Sequence, residues 1–528
     1  MIFSATPRTV LLVTTILSGV AATTPARAQD AVRIDTIQSQ INALQSELRL
    51  MKSELVKRDN QVRAAQEQAS RARADARQAK TSATEAKEQS ALAQATVATA
   101  AAPPLAVVAN EPQATLRMRG GRPTFTSADG KYLVSLGLQL NFDFGGYFTG
   151  TTPNPNNRSA TLAPLGENLR RFRIPLQFRY EDIVVAVTPE FGGTPDGTVS
   201  IYEANISYSG IKPLTFTAGY FKPWLTLADS TSSQDFLFLE RPSIVEISRN
   251  IAAGDTRASA GVRGYGDQWF AAAYLTGQKY GAQSTTTSIY SQDGGTLRLA
   301  GRPLAGPDYD LHLGVSASDA FHLTRNSGGG QTASLSDYPE ARVDPVKLIS
   351  TGTIIGANSA YSAGPEVAFR YKNFLIEGEF IQVGVERSAF GAKPAPNLSF
   401  NGGYGEASWV ITGEPRKYDP SAGAFARPVP AQPFSPKNGT WGAFELAGRY
   451  SATNLNSNTS RGVSQAVTGG VFGGYQQILS FGLNWYLNDN YRIMADYYIS
   501  QIDKLNTAGT TQNGQNFQAL LFRLQATY

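Results

Sequence analysis

The stretch that decides the fold is VSLGLQLNFDF, residues 134–144. One set of alternate positions is apolar and the other is small or polar: Val134, Leu136, Leu138, Leu140, Phe142 and Phe144 against Ser135, Gly137, Gln139, Asn141 and Asp143. Alternation with a period of two predicts a β-strand with one apolar and one polar face. A strand of a soluble β-sandwich has the same pattern, so the remainder of the chain has to distinguish a sandwich from a membrane barrel.

The composition of the chain restricts the class of protein. Of the 528 residues, 41% are hydrophobic and 17% are charged, and the 50 glycines and 23 tyrosines favour many short strands joined by turns. Beyond the N-terminal segment, no apolar run reaches the length of about 20 residues that a membrane-spanning helix needs. A membrane protein with this sequence would therefore be a barrel.

The N-terminus has the features of an export signal. Residues 1–28 contain Arg8, an apolar stretch at residues 10–20, and small residues at Ala26 and Ala28. This pattern predicts a secretory signal peptide that is cleaved after Ala28, and the alternative is a membrane-anchoring helix. The mature protein is therefore expected to be exported.

Cysteine content and charge exclude several kinds of site. The sequence has no cysteine, which excludes disulfide bonds, a cysteine nucleophile and a thiolate metal site. The formal net charge of +5 is too small to indicate nucleic-acid binding, but it favours anionic partners if the positive charge is concentrated. We expect no metal, no cofactor and no nucleic acid, and the positions of the arginines become the main question.

A seven-residue repeat follows the predicted signal peptide, within residues 31–100. Its two core positions begin with Ile34, Ile41, Leu48, Leu55 and Val62, and with Ile37, Leu44, Met51, Arg58 and Ala65, before alanine predominates. The repeat predicts a periplasmic coiled coil, and isoleucine at both positions of the first heptad favours a trimer. A solvated single helix is the alternative. Pro103, Pro104 and Pro112 cannot continue the helix, so residues 101–118 are assigned to a linker.

The opening alternation recurs between residues 119 and 528. It is found in SFGLNWYLN (480–488), YRIMADYYIS (491–500) and LLFRLQATY (520–528), whose polar faces carry little charge. A closed barrel leaves no unpaired backbone in lipid, so these strands in an exported protein predict an outer-membrane barrel. The predicted fold is therefore an all-β transmembrane barrel with an N-terminal α-helical coiled-coil extension. In the opening stretch, the apolar face should meet outer-membrane lipid and the polar face should line a pore.

Basic side chains share the polar faces of several predicted strands. In RRFRIPLQFRY, residues 170–180, the residues Arg171, Arg173 and Arg179 lie opposite an apolar face. An arginine that faces lipid at the bilayer midplane costs about 2–4 kcal/mol, so these side chains are expected to face the lumen. The same reasoning assigns four more residues to the lumen: Arg257, Arg263, Arg370 and Lys372. Such a track would attract anions, although neighbouring acidic residues would neutralise part of it.

Residues 225–256 are too long for a tight hairpin and contain several large apolar side chains. If these apolar side chains were exposed to water at a loop tip, they would favour aggregation. We expect the segment to fold back into the pore and to bring Arg241 or Arg249 near the narrowest point. The alternative is a contact between protomers on the outer surface. Residues 326–346 and 393–403 are rich in Gly, Ser and Asn and are predicted to be extracellular loops.

Several segments resemble the signatures of one family, in the family's order. They are RRFR (170–173), FTAGYFKPWLTLADSTSSQDFLFLER with SRNIAAG (216–254), WVITGEPRKY (409–418), WGAFELAGRYS (441–451) and LNWYLNDNYRIMADYY (483–498). From about residue 120 onward, the chain resembles the phosphate-selective porins of the O and P type. The resemblance implies sixteen antiparallel strands, a homotrimer and phosphate-type anions as solutes.

The resemblance also implies roles for particular residues. In the family, two arginines that resemble Arg170 and Arg171 lie near the constriction, and an inward loop carries basic residues, here Arg241 and Arg249. The alternation instead places Arg171 and Arg173 in the lumen and leaves Arg170 at the barrel end or on a bulge. The two arguments agree on Arg171. Arg173 stands where the family often has an aromatic residue, which leaves phosphate specificity open.

The sequence favours a passive porin for small hydrophilic solutes, preferentially anions of the phosphate or polyphosphate type, with an arginine-lined constriction. The alternative is a general or carboxylate-type porin whose coiled coil serves mainly as a tether to the cell wall, through peptidoglycan or a periplasmic protein. A third class is an enzyme, for which His312 or His322 could activate a serine. No metal-ligand spacing, P-loop or nucleophile elbow is present, so we expect no enzymatic activity.

Overall fold

The computed structural model describes most of the chain from residue 113 onward. The described residues are 113–119, 121–152, 154–193, 199–281, 288–290, 292–326, 330–388 and 395–528. They belong to one compact unit, Asn110–Tyr528. The predicted signal peptide, the predicted coiled coil and most of the predicted linker lie outside these residues, so all three stay predictions.

Sixteen antiparallel strands form a closed barrel, as predicted. The wall strands are β1 (Tyr132–Leu136 with Gln139–Tyr147), β2 (Leu165–Arg173 with Leu176–Tyr180), β3 (Ile183–Glu190), β4 (Ser200–Tyr208), β5 (Leu214–Phe221), β6 (Arg257–Tyr265), β7 (Trp269–Lys279), β8 (Asp293–Ala305), β9 (Tyr309–His322), β10 (Ala357–Tyr371), β11 (Phe374–Arg387), β12 (Leu398–Val410), β13 (Ala443–Ser457), β14 (Val471–Tyr486), β15 (Tyr491–Asp503) and β16 (Gln518–Thr527). Each pairs with the next, and β16 pairs with β1, where Phe522 lies opposite Phe144. The wall therefore has no free edge.

The strands differ in length around the barrel. Each of β3–β6 contains eight or nine residues. In contrast, β8–β15 contain between 13 and 16 residues each. One side of the wall is thus markedly shorter than the other.

The two faces of the wall have the polarity that the opening stretch predicts. Asn141 and Asp143 on β1 are 0% and 1% exposed, whereas Phe144 beside them is 37% exposed. On β16, Arg523 is 0% exposed and Leu524 is 44% exposed. Buried polar residues and exposed apolar residues are the reverse of a soluble fold and are typical of a barrel in lipid. This confirms that the apolar face points outward.

The first strand is broken where the sequence predicted a continuous one. At the break, the amide of Gly137 donates to the carbonyl of Pro175 over 2.7 Å, and the amide of Leu138 donates to the carbonyl of Tyr528 over 3.0 Å. A Cβ atom on Gly137 would lie 2.9 Å from the Tyr528 carbonyl oxygen, which is too close for any side chain. Glycine at this position therefore allows the backbone of residue 528 to complete the wall.

Shorter elements accompany the wall. The α-helices are α1 (Leu227–Ser230), α2 (Ser243–Ala252) and α3 (Gln465–Thr468), and single 3₁₀ turns span Arg158–Ala160 and Pro436–Asn438. A hairpin of Thr115–Arg119 and Arg122–Thr126 precedes β1, and four two-stranded pairs are Ser288–Tyr290 with Arg325–Asn326, Thr332–Ala333 with Ile354–Ile355, Ser336–Asp337 with Ile349–Ser350, and Tyr418–Asp419 with Ala424–Phe425. Among the described residues, no helix is both long enough and apolar enough to cross a membrane.

The segment between β5 and β6, residues 222–256, lies inside the barrel, and we call it the first inserted loop. Its helix α2 contacts the wall strands β8–β13. Ile244 and Val245 of α2 are 0% exposed, and the hydroxyl of Ser248 is 2.7 Å from that of Ser362 on β10. The apolar residues of this segment are therefore buried against the wall of their own chain.

A second inserted loop, residues 411–442 between β12 and β13, starts at the opposite end of the barrel, because neighbouring strands are antiparallel. Arg416 in this loop donates to the carbonyl of Asp235 over 2.9 Å, and Arg427 lies 3.3 Å from the carboxylate of the same Asp235. The two inserted loops thus meet in the lumen.

The two segments that were predicted to be extracellular loops have different structures. In residues 326–346, Glu340 is 1% exposed and its carboxylate accepts from Arg449 on β13 over 2.6 Å. In residues 393–403, the part from residue 398 onward belongs to β12. Residues 326–346 connect β9 and β10 with Glu340 held inward, so their extracellular position stays a prediction, whereas residues 398–403 lie in a wall strand and the prediction was wrong there.

The ion pair between the last and the first wall strand allows a test of how much a buried pair stabilises the barrel. Arg523 on β16 donates to both carboxylate oxygens of Asp143 on β1 over 2.6 Å. Replacing Arg523→Gln should lower the free energy of unfolding by about 3–5 kcal/mol, because it leaves Asp143 buried and unpaired. Urea unfolding in lipid vesicles measures this, with the exposed Arg179→Gln as the control. Equal stability of the two variants would contradict the prediction.

Candidate functional site

Two consecutive arginines of β2 face the lumen because the strand contains a bulge. Asn141 of β1 pairs with Arg171, but the next residue, Phe142, pairs with Leu169, so Arg170 has no partner in the register. A bulge of this kind re-aims a side chain without ending the strand. Of the two placements that the sequence left open for Arg170, the structure has the bulge.

Both arginines meet one carboxylate of the first inserted loop, that of Glu240. Arg170 forms two hydrogen bonds with it, over 2.7 and 3.0 Å. The other guanidinium groups around Glu240 are those of Arg523 at 3.2 Å, Arg342 at 3.5 Å and Arg171 at 3.8 Å. Glu240 is 2% exposed. Four arginines from the wall and the inserted segments therefore share one buried acid.

This arrangement keeps Glu240 ionised. Burial by itself would raise the pKa of Glu240, but the charges of the four arginines outweigh burial and hold that pKa well below its usual range. A carboxylate at this position is accordingly expected to carry a negative charge at neutral pH.

A cavity of about 240 Å³ lies beside this cluster, between β1–β4 and the first inserted loop. Five basic and two acidic side chains line it: Arg122, Arg171, Arg173, Lys222 and Arg241 with Glu203 and Asp255. Polar uncharged residues complete much of the lining, including Gln139, Gln177, Thr188, Ser230, Ser232, Ser233 and Gln234. The excess of positive charge and the hydroxyl groups suit a small anion.

Two buried polar atoms of the cavity lining have no hydrogen-bond partner within the described part of the chain. They are Nη1 of Arg171 and Oγ of Ser230. A buried donor without a partner is costly, and such atoms often mark the place of a water molecule or a bound ion. The wall arginine and the loop serine thus both have unused hydrogen-bonding capacity at the cavity.

Arg173 lines the same cavity but is held more tightly. Its guanidinium carbon lies 3.4 Å from the centre of the Tyr202 ring, and its Nε is ion-paired with Glu190. The same Glu190 carboxylate also accepts from the amides of Phe172 and Gly192. Arg173 therefore contributes charge to the lining from a fixed position.

Lys222 is a cavity residue that the sequence analysis missed. It follows β5 directly, where strict alternation would point it outward, but Pro223 ends the strand and the chain turns into the lumen. Lys222 donates to the carbonyl oxygen of Asp229. Burial lowers the pKa of Lys222 to about 8; Asp229 and Asp255 oppose this shift, whereas Arg241 and Arg249 add to it.

Of the loop arginines that were expected near the narrowest point, Arg241 lines the cavity and Arg249 does not. Arg249 lies in α2 and is ion-paired with Asp229 over 2.6 Å and with Asp255 over 2.6 Å. Arg241 is paired with Glu246 over 3.1 Å. Acidic residues of the same loop therefore largely neutralise the charge of Arg249.

The remaining predicted lumen residues lie away from the cavity lining. Arg257 is buried and donates to three carbonyl oxygens. Arg263 lies over the ring of Trp224, and Arg370 is paired with Asp310 over 2.6 Å. Arg179 is exposed at the end of β2, and Lys372 is exposed in the turn after β10, with a φ of 52°. The prediction that Arg179 and Lys372 face the lumen was wrong, because the alternation was applied to residues at the ends of the strands.

Both histidines form polar contacts with neighbouring side chains of the barrel. His312 is 0% exposed, and its ring nitrogens lie 3.0 Å from the Tyr418 hydroxyl and 2.9 Å from Glu366. It thereby joins β9 and β10 to the second inserted loop. His322 is exposed and lies 2.9 Å from Asp293. Each histidine is thus paired with a carboxylate.

A closed barrel with two inserted loops and a cationic cavity in its lumen defines a diffusion channel of the outer membrane. A family model described as phosphate-selective porin O and P matches residues 134–528. The chain belongs to this family, and it is an integral outer-membrane porin. Porin O of Pseudomonas aeruginosa is 23% identical over 428 residues, which are 76% of this chain and 90% of that relative.

Among solved structures, the sequence identity is lower. OmpT of Vibrio cholerae, in its trimer form, has a TM-score of 0.44 at 11% identity, over 75% of this chain and 99% of that one. An anion-selective porin from Comamonas acidovorans has a TM-score of 0.42 at 11% identity, over 75% of this chain and all (100%) of that one.

The position of Lys222 predicts a pH dependence of ion permeation. Below a pH of about 8 this lysine adds one positive charge to the cavity, and above that pH it is neutral. The ratio of anion to cation permeability should therefore fall as the pH rises through 8. Reversal potentials across a planar bilayer in a potassium chloride gradient measure this ratio. The Lys222→Met variant should show no step and should keep, at every pH, the ratio that the wild type has above a pH of about 8. A step of wild-type size in this variant would contradict the assignment.

Proposed function

We propose that this porin conducts small anions, preferentially of the phosphate or polyphosphate type, by passive diffusion past an arginine-lined constriction at the cavity of β1–β4. The observation that carries the proposal is the lining, in which five basic side chains face two acidic ones. The unpartnered Nη1 of Arg171 and Oγ of Ser230 add donors at the same place. Arg170, Arg171, Arg173 and Arg241 are the predicted site residues that lie at or beside it.

The chemistry is exchange of hydration without a covalent step. A guanidinium group and hydroxyl groups can replace part of the hydration shell of an oxyanion, and charge-assisted hydrogen bonds are the strong ones. In the confined lumen these interactions are screened less than in bulk water. Conduction also requires that the anion leave again, so each contact has to be weak enough to exchange.

A second candidate is a general or carboxylate-type porin. It is favoured by the extent of ion pairing in the lumen, since Arg173 is paired with Glu190 and Arg241 with Glu246. These pairs reduce the charge that a passing phosphate would meet. Membership of the family described as phosphate-selective porin O and P supports the first candidate, a phosphate-type anion channel.

We further propose a homotrimer with a periplasmic stalk formed by residues 31–100. The proposal is supported by the heptad repeat, which begins with isoleucine at both core positions. The stalk would contact peptidoglycan or a periplasmic protein and would tether the barrel to the cell wall.

Deletion of residues 31–110 separates conduction from tethering. The shortened protein should keep its single-channel conductance, because the pore residues lie in the barrel, whereas trimer stability in detergent or envelope integrity should decrease. Conductance in planar bilayers and heat-dependent gel mobility of the trimer measure the two effects. Loss of conductance in a correctly folded variant would refute this division of labour.

The anion site itself is tested at Arg171. Replacing Arg171→Gln should raise the phosphate concentration that half-blocks the chloride current by about tenfold or more, since a hydrogen bond to a charged group is worth about 1.5–3 kcal/mol. Arg171→Lys keeps the charge but not the fork of donors, so it should preserve chloride selectivity and weaken phosphate block. Block and selectivity like those of the wild type in Arg171→Gln would overturn the proposal.

A further inference from the structure

The backbone on both sides of Glu240 is fixed to the barrel wall. The carbonyl of Glu240 accepts from Arg449 on β13 over 2.9 Å. The preceding residue, Leu239, donates its amide to Asp496 on β15 over 2.8 Å and accepts from Arg523 over 2.6 Å. The Glu240 carboxylate therefore projects from an anchored stretch of the first inserted loop, and its position in the lumen is set by the wall.

The four arginines around this carboxylate are not held equally. Arg170 makes the closest contacts, at 2.7 and 3.0 Å. Arg171 is the most distant, with 3.8 Å between its Nη2 and Oε2 of Glu240. Arg171 is also the member of the four that lines the cavity, and its Nη1 has no hydrogen-bond partner in the described residues. Its side chain thus lies between a fixed acid and the space that a mobile anion would occupy.

We propose that Glu240 is a tethered competitor for Arg171: its carboxylate holds part of that guanidinium's interaction and so limits how tightly a passing anion binds. The inference rests on the proposed anion conduction and identifies Glu240 as a residue that determines affinity and selectivity in the same site.

The physical reason is the balance between binding and release. Cavity-lining arginines without a nearby carboxylate would retain an oxyanion, and a retained ion blocks the channel that it is meant to traverse. A fixed negative charge a few ångströms from Arg171 repels the arriving anion and offers the arginine an alternative partner. Binding is weakened while the positive charge that attracts anions into the cavity remains.

The Glu240→Gln variant tests the proposal, because glutamine keeps the shape of the side chain and removes its charge. Compared with the full-length wild-type protein, the concentration of inorganic phosphate that half-blocks the chloride current should fall by about tenfold, as expected for one lost charge interaction of about 1.4 kcal/mol. The ratio of anion to cation permeability should rise. An unchanged or higher half-blocking concentration would overturn the proposal.

A matched control removes another buried carboxylate of the lumen. Glu340 is 1% exposed and pairs with Arg449 of β13, whereas Glu240 lies 3.8 Å from Arg171. Glu340→Gln should leave phosphate block within about twofold of the wild type. The double variant Arg171→Gln with Glu240→Gln should block like Arg171→Gln alone, since residues that act through one contact are non-additive. Additive effects in the double variant would mean that Glu240 does not act through Arg171.

The proposal remains testable if Glu240→Gln fails to fold, which heat-dependent gel mobility would reveal. Glu240→Asp keeps the negative charge but draws it back by one methylene group. Because Arg171 is already the most distant of the four arginines, phosphate block should shift in the same direction by a smaller factor. A folded Glu240→Asp protein without any shift would overturn the proposal.

Failure of this inference differs from failure of the proposed function. A wild-type channel without anion selectivity contradicts the proposed function. If Glu240→Gln then becomes anion-selective, the role of Glu240 is supported nevertheless. An anion-selective wild type with an unaffected Glu240→Gln variant overturns only the role of Glu240.

Discussion

Lipid does not accept charge, and this constraint organises the whole barrel. Charged side chains of the wall have to point inward, where they would be costly without partners, and the inserted loops supply those partners. Arg523 and Asp143 pair across the strands that close the barrel, and Glu240 of the first inserted loop joins the wall arginines. The second inserted loop repeats the principle, since its Arg416 pairs with Glu445 of β13 over 2.6 Å. Wall and loops therefore fold around a shared set of buried ion pairs.

The cavity occurs where this pairing is incomplete. Along β8–β13, helix α2 and its apolar residues fill the lumen, and charged groups meet their counterparts at short distances, such as Arg298 with Glu366 at 2.7 Å. Along β1–β4, basic side chains outnumber acidic ones, and Arg171 keeps an unpaired nitrogen. An imbalance that would be a defect in a soluble core supports the place that we propose for a mobile counter-ion in the lumen. Arg170 and Arg523 thus pair with Glu240 inside the barrel, whereas Arg171 also lines the cavity that we propose for anions.

The sequence predicted the parts of this structure that follow from local periodicity. Alternation identified the strands and the inward direction of Arg171 and Arg173. The large apolar side chains of residues 225–256 indicated that this segment is buried. Three kinds of feature were beyond it. The bulge at Arg170 depends on the register with β1, the neutralisation of Arg249 depends on Asp229 and Asp255 in the folded loop, and the inward turn at Lys222 begins where the strand pattern stops. Residues 393–403 were assigned to a loop because Gly and Asn suggested turns, but β12 begins at Leu398 and alternates from there, with Leu398, Phe400 and Gly402 buried on one face.

The unequal strand lengths have a consequence for the surrounding bilayer. A strand of eight residues that is tilted by about 45° rises roughly 20 Å, less than the approximately 30 Å of a typical hydrocarbon core. Lipid beside β3–β6 would have to thin to match this wall, whereas the longer strands of β8–β15 span the core in full. Thinning the bilayer costs free energy, and a neighbouring protein beside β3–β6 would avoid that cost. Hydrophobic mismatch therefore favours protein contact on this side of the barrel. Two of these short strands, β3 and β4, also carry part of the cavity lining, so the cavity lies next to the part of the wall where the bilayer would be thinnest.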